Sequence, residues 1–381
     1  MDSFRIKIRN YRATNMRYFE EIKSSSSNAN GHYKRDKTNN AYRNEMTKKG
    51  IYIPKYSISE TNFGSLENML KLEFSAPKLL YGTNFKEVSQ KDFSAVVDKL
   101  VAFLRSIQVT TDRSEIADAV VTLAAYAQNI PVGKFGSTSE ILWVMGHFDY
   151  RPRSEQTKRE RHKELHERDG LAELKYYNDN SHLTLYDKPL EILVDPITKE
   201  ENEIAEAVRK GVIGETLRVE LTLHTKHAVR QALSGIYGKQ STFTFAEAFN
   251  DNVRNTLLHN EIDTVFNHPL QKIVLLTCFD RDVFNRVIEK YCHTLAQRRE
   301  MRVALPIIFT EGLLAYRRDI LKHATLRTWF RYQERLKRIC DGIQLPQGAT
   351  AQLNNTEFLE YFLSQFGIKS KLRESRQQGL F

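Results

Sequence analysis

The chain has 381 residues, a formal charge of +10 and a pI near 9.3. That length supports a sizeable core and two or more domains, and the basic excess favours a polyanionic partner such as DNA, RNA or an anionic surface. No apolar run approaches the ~20 residues of a spanning helix, so no membrane partner is expected. The first ten residues carry no apolar signal core. Cys278, Cys292 and Cys340 are odd in number and widely spaced, which gives neither a disulfide framework nor a zinc pattern. A reducing cytoplasm is the expected home.

In chain order, Phe4, Ile6 and Ile8 alternate with Arg5, Lys7 and Arg9, the period of a strand. Ser24 to Gly31 is a polar loop. Lys34 to Lys49, basic and rich in Asn, reads as a solvated loop or as an arm that orders on a polyanion. Ile51 to Ile58 is extended, and Leu70 to Ser75 is a strand with Lys71, Glu73 and Ser75 on one face. Asp92 to Ile107 spaces Phe93, Val96, Val97, Leu100, Phe103 and Leu104 as an amphipathic helix does. Asp118 to Ala127 is Ala-rich, but Val120, Val121 and Thr122 favour a buried strand. Glu140 to Met145 is a short strand or a helix start. Arg151 to Arg168, densely charged, is expected as an exposed helix or a crossing segment.

Tyr176 to Ile192 and Leu217 to Leu223 carry the most informative pattern. Alternation puts His182, Thr184, Tyr186 and Lys188 on one face of the first strand, and Arg218, Glu220, Thr222 and His224 on one face of the second. Such a face is most often the solvated side of an antiparallel sheet; its Tyr, Lys, Arg and Glu also make it a candidate phosphoryl-transfer surface. Lys199 to Lys210 reads as a helix between them, and His227 to Leu233 starts a helix or turn.

Beyond Gly238 helices dominate: Phe245 to Leu258, Leu270 to Thr277, Asp282 to Arg298 and Thr310 to Ile339. Ala315 to Arg338 combines Arg317, Arg318, Lys322, Arg327 and Arg331 with Leu321, Trp329, Phe330 and Tyr332. Such a helix can track a phosphate backbone and stack on bases, or it packs one face and solvates its basic side. The fold class expected is α+β: a largely antiparallel sheet domain over residues 1–236 and a helical, basic region over 237–381.

The chain has no Walker loop, no G-x-S-x-G and no H-E-x-x-H. His147 and Asp149, two apart, form a weak metal pair. Three segments together, LKLEFSAPKLLYGTNF (70–85), LTLYDKPLEI (183–192) and LRVELTL (217–223), resemble the gene II/gene X replication initiators of filamentous phages. The resemblance covers roughly residues 50–235; trans-acting Rep initiators of plasmids share the YDK and RxE arrangement.

The resemblance implies a rolling-circle enzyme that nicks one strand of origin DNA. Tyr186 falls where the family's attacking tyrosine lies, Lys188 matches its basic companion, Arg218 and Glu220 match the RxE strand, and Glu73 matches the acid of the EFSAPK strand. Tyr176 and Tyr177 are assigned to packing. One departure is plain: Val120 to Ala127 lacks the acid or histidine that related initiators often place there.

A phenol with a pKa of about 10 needs activation. Lys188, and a divalent ion (Mg²⁺ or Mn²⁺) held by Glu73 and Glu220, are the expected sources. The product would be a 5′-phosphotyrosine and a free 3′-OH that primes synthesis. Arg218, Arg317, Arg318, Lys322, Arg327 and Arg331 are the expected DNA contacts. The implied partners are single- and double-stranded origin DNA, with polymerase and helicase of a bacterial host. The alternative is a non-catalytic nucleic-acid-binding regulator.

Overall fold

The computed structural model describes residues 1–14, 20–22, 34–61, 69–146, 162–168, 171–239, 241–267, 288–289, 292–311, 313–325, 327–332, 334, 336 and 350–370. The chain divides into two compact units. One comprises Met1–Pro131, Arg168–Leu171 and Lys175–Leu257; the other comprises Val132–Glu167, Ala172–Leu174 and Leu258–Phe381. This differs from a division at residue 236. The fold is α+β with an antiparallel sheet.

The strands, in chain order, are β1 Ser3–Ile8, β2 Arg12–Ala13, β3 Glu20–Ile22, β4 Lys34–Thr38, β5 Lys55–Thr61, β6 Met69–Ser75, β7 Val109–Thr110, β8 Val120–Pro131, β9 His162–Arg168, β10 Leu171–Tyr177, β11 Ser181–Asp187 and β12 Thr216–Leu223. In the first unit the sheet runs β3-β4-β5-β6-β1-β8-β12-β11. Its described pairings are antiparallel. The helices of this unit include α1 Asn40–Lys48, α2 Ala76–Tyr81, α3 Phe93–Ser106, α4 Arg113–Ala117, α6 Lys188–Val194, α7 Lys199–Arg209, α8 Lys226–Tyr237 and α9 Phe245–Ala248; α5 is Thr138–Met145.

Alternation sets which face of each strand is buried. In β1 Phe4, Ile6 and Ile8 are buried and Ser3, Arg5 and Lys7 are not; in β6 Leu70, Leu72 and Phe74 are buried, with Lys71 and Glu73 opposite. Phe4 anchors the core, with its ring centroid 5.2 Å from Phe245, 5.6 Å from Phe249 and 6.1 Å from Tyr126. The Tyr126 hydroxyl donates to the Ala248 carbonyl at 3.0 Å, and Phe245 N donates to Ala119 O at 2.9 Å. These contacts hold residues 243–249 on the sheet, which is why the first unit continues past residue 236. A buried ion pair, Lys78 to Glu201 at 2.8 Å, ties α2 to α7.

Two strands end by the same device. Ser75 accepts from Lys78 N, Asp187 accepts from Leu190 N, and each is followed by proline in the first turn of a helix. α2 stops at Gly82, whose φ of 71° is left-handed and costs glycine little.

Several local expectations change. Lys34 to Lys49 is strand then helix, with Asn39 fixed by Tyr56 N and Pro54 O. Of the two readings of Glu140 to Met145 the helix holds: these residues belong to α5, started by a Ser137–Glu140 capping box. His162 to Arg168 is a strand rather than an exposed helix. Tyr176 to Ile192 is the end of β10, a turn, β11 and the start of α6. Ser24 to Gly31, His147 with Asp149, residues 151–161, Leu270 to Thr277, Cys278 and Cys340 lie outside the described residues.

The second unit includes α5 and the helices Leu295–Glu311, Leu313–His323 and Thr350–Ser364. Its apolar contacts include Phe266–Phe362, Phe358–Phe362 and Tyr316–Trp329. No helix among the described residues is long and apolar enough to cross a membrane.

Candidate functional site

β11 and β12 pair with Tyr186 opposite Arg218, Thr184 opposite Glu220 and His182 opposite Thr222. Partners across a ladder share a face, so the polar faces read from alternation meet in one surface. The Tyr186 hydroxyl donates to Glu220 Oε2 at 3.4 Å, and Thr222 Oγ1 donates to Glu220 Oε1 at 3.2 Å. Arg218 Nε stands 3.6 Å from Glu220 Oε2.

Lys188 does not continue the strand. Asp187 caps α6 and Pro189 occupies its first turn, so Lys188 is the first helical residue. The Asp-Lys-Pro run is a helix-start signal, and alternation cannot be extended through it. Lys188 is fully buried; its ammonium donates to Asn84 Oδ1 at 2.6 Å, pairs with Glu191 and lies 5.9 Å from the Tyr186 ring centroid. Buried in this way, Lys188 presents no surface to solvent.

Arg218 is expected to contact DNA, but it is 2% exposed. Its guanidinium meets Asp2 Oδ1 at 2.7 Å, the Asn84 carbonyl at 3.0 Å and Asn129 Oδ1 at 3.0 Å. A buried guanidinium held in this way is a tie between β12, β8, the first residues of the chain and the loop after α2. Asp2, Asn84 and Asn129 were not among the sequence candidates. The nearest signal was Asn84, which lies in the segment that carries the resemblance.

Burial sets the protonation of this cluster. Desolvation pushes the Tyr186 phenol well above its usual value, and Glu220 reinforces the shift while Arg218 opposes it. Lys188 is pushed down to about 8 by burial and by Arg218. Burial and the Asp2 charge raise Glu220, while Arg218 opposes them.

Glu73 is elsewhere. It pairs with Arg5 at 2.6 Å across the β1–β6 ladder. Between Glu73 on β6 and Glu220 on β12 lie β1 and β8, three strand spacings or ~14 Å. Carboxylates that ligate one Mg²⁺ or Mn²⁺ reach it at ~2.0–2.6 Å, so Glu73 and Glu220 do not fit a shared ion. Among the described residues no cluster of three or more His, Cys, Asp or Glu is placed to hold a metal. On β8, Ala127 faces Glu220 and Ala125 faces Thr222, so the strand that lacked an acid in the sequence presents only methyl groups there.

The C-terminal candidates belong to the second unit. Lys322, Arg327 and Arg331 are exposed, and Lys322 lies 3.6 Å from Asp319. The side chains of Arg317 and Arg318 lie outside the described residues. The helix expected over Ala315 to Arg338 is interrupted: one helix ends at His323, and Thr325 accepts from Thr328 N to start the next. Trp329 is buried while Phe330 is exposed.

No family model matches the chain, and no curated protein matches it. Among solved structures, a rolling-circle replication initiator protein from Geobacillus stearothermophilus aligns over 82% of this chain and 98% of its own, at 7% identity and a TM-score of 0.29. At that score the alignment carries no argument about fold or function.

Proposed function

We propose that this chain is a site-specific DNA nicking-closing enzyme of the rolling-circle type, with Tyr186 as the nucleophile. The observation that carries this reading is the Tyr186 hydroxyl at 3.4 Å from Glu220 Oε2, with the Lys188 ammonium 5.9 Å from the same ring. In this scheme the phenol oxygen attacks a phosphodiester phosphorus, its proton passes to Glu220, and the bond from phosphorus to the 3′ oxygen breaks. The 3′ oxygen takes a proton from solvent. The reverse attack rejoins the strand without ATP, in keeping with the missing Walker loop.

Glu220 is placed to take the proton, and burial and Asp2 raise its affinity for one. Lys188 favours the phenolate from within the fold. The scheme routes no step through a metal ion, because the two acids expected to hold it are set apart. Polymerase and helicase would act on the free 3′-OH and the opened duplex. Filamentous-phage and plasmid initiators share this chemistry, and the residues here do not separate them.

The test is a covalent adduct between the full chain and single-stranded origin oligonucleotides, resolved by denaturing electrophoresis. Wild type should form it and Tyr186→Phe should not, while both bind the oligonucleotide. Undiminished adduct with Tyr186→Phe would remove this tyrosine from the role. A second reading, a non-catalytic DNA-binding regulator, is favoured by Ala125 and Ala127 opposite Thr222 and Glu220. It requires binding by wild type with no adduct under any metal condition.

A further inference from the structure

A groove of about 440 Å³ opens on the polar face of the sheet. Its lining includes Arg5, Lys7, Lys55, Lys71 and Lys226 against a single carboxylate, Glu73. Ser57, Thr122 and Thr225 supply hydroxyls to the same walls. The groove is distinct from the Tyr186 cluster. On that side it is bounded by His224, which follows the end of β12 and lies four residues beyond Glu220, ~13 Å along a strand.

Four elements deliver the five cations. Arg5 and Lys7 come from β1, Lys71 from β6, Lys55 from β5 and Lys226 from the first turn of α8. Glu73 offsets Arg5, to which it is paired. The lysines of β5, β6 and α8 are left to set the field. Lys55 and Lys226 are exposed and Lys71 is half-exposed.

We propose that this groove binds the phosphodiester backbone of a single-stranded polynucleotide, at a site separate from the Tyr186 cluster. Phosphate groups in series match cations spaced along adjacent strands, and the hydroxyls can donate to phosphate oxygens between them. The recess is the size of a small-molecule pocket; it admits a flexible strand, whereas a duplex would meet only its rim. Salt-dependent binding without base preference follows, because every contact is to the backbone.

The proposal does not need Tyr186 to be a nucleophile. Fluorescence anisotropy of labelled oligo(dT) with the full chain, across a salt series, tests it. Replacing Lys55, Lys71 and Lys226 together by alanine should weaken binding at least about tenfold near 0.1 M salt, and should lower the slope of log affinity against log salt by about 2, at ~0.7 per phosphate contact.

In wild type, lysine acetylation followed by mass spectrometry should show Lys55, Lys71 and Lys226 protected by saturating oligo(dT). This arm does not depend on how the variant folds. The proposal is overturned if the triple variant keeps wild-type affinity and slope, or if the three lysines stay fully reactive in the complex. Equal losses of duplex and single-strand binding in the variant, or displacement of oligo(dT) by poly-glutamate at matched charge, would overturn the single-strand assignment. Absence of a covalent adduct in wild type would count against nicking and leave these outcomes standing.

Discussion

Asp2 and Arg218 form a buried ion pair, Oδ1 to Nη2 at 2.7 Å, although 216 positions separate them in the chain. The guanidinium also bonds Asn84 and Asn129, so one side chain fastens four segments. Its Nε makes no hydrogen bond and faces Glu220. Removing one member of a buried pair leaves the other charge uncompensated, typically at ~3–5 kcal/mol. Arg218→Ala should therefore lower unfolding stability by an amount of that order, measured by urea denaturation. Asp2→Asn should cost less, because Asn84 and Asn129 still hold the guanidinium. Equal, small losses for both variants would show that the tie is not needed.

Lys188 gives a stability signature in mild alkali. Its folded pKa of about 8 lies below the ordinary lysine value of 10.5, so the unfolded chain binds more protons between those values. Stability should rise as pH increases from about 8 toward 10. Lys188→Met should flatten that rise. Above pH 10 the raised phenol of Tyr186 works the other way, which confines the useful window to about 8–10. Denaturation midpoints of both proteins across that window check the sign.

His224 should act on the acid side. It is lowered below 6.5 by burial first, then by Lys175 and Arg5. The unfolded chain then binds more protons just below pH 6.5, so this contribution to stability is present above that pH and fades as pH falls through it. His224 also touches His182 ring to ring, with centroids 4.0 Å apart. His224→Asn should reduce the slope of thermal midpoint against pH between about 6.5 and 5; an unchanged slope would assign it to other groups.

The separation of Glu73 from Glu220 makes a prediction about metal. If nicking depends on Mg²⁺ or Mn²⁺, Glu73→Ala should leave the half-saturating metal concentration unchanged, while Glu220→Gln should suppress the adduct at every concentration. A metal requirement shifted by Glu73→Ala would mean that this acid reaches the reacting centre.

Much of this was written locally. Alternation in Ser3–Ile8, Met69–Ser75, Ser181–Asp187 and Thr216–Leu223 told which side chains share a face, because a strand has a period of two whatever it pairs with. The step from Tyr186 to Lys188 departs from alternation for a local reason too: Asp187 and Pro189 end the strand at Asp187, and a cap overrides periodicity.

What no window of sequence could give is which strands lie side by side. The order β6-β1-β8-β12 separates two glutamates that looked like partners. The same folding brings Asp2 to Arg218 and gathers lysines from β5, β6 and α8 into one groove. Residue periodicity is a property of the backbone and is present in the chain at every point. Strand order and burial follow from how apolar faces such as that of Phe4 find each other across the whole molecule, and only the assembled core decides them.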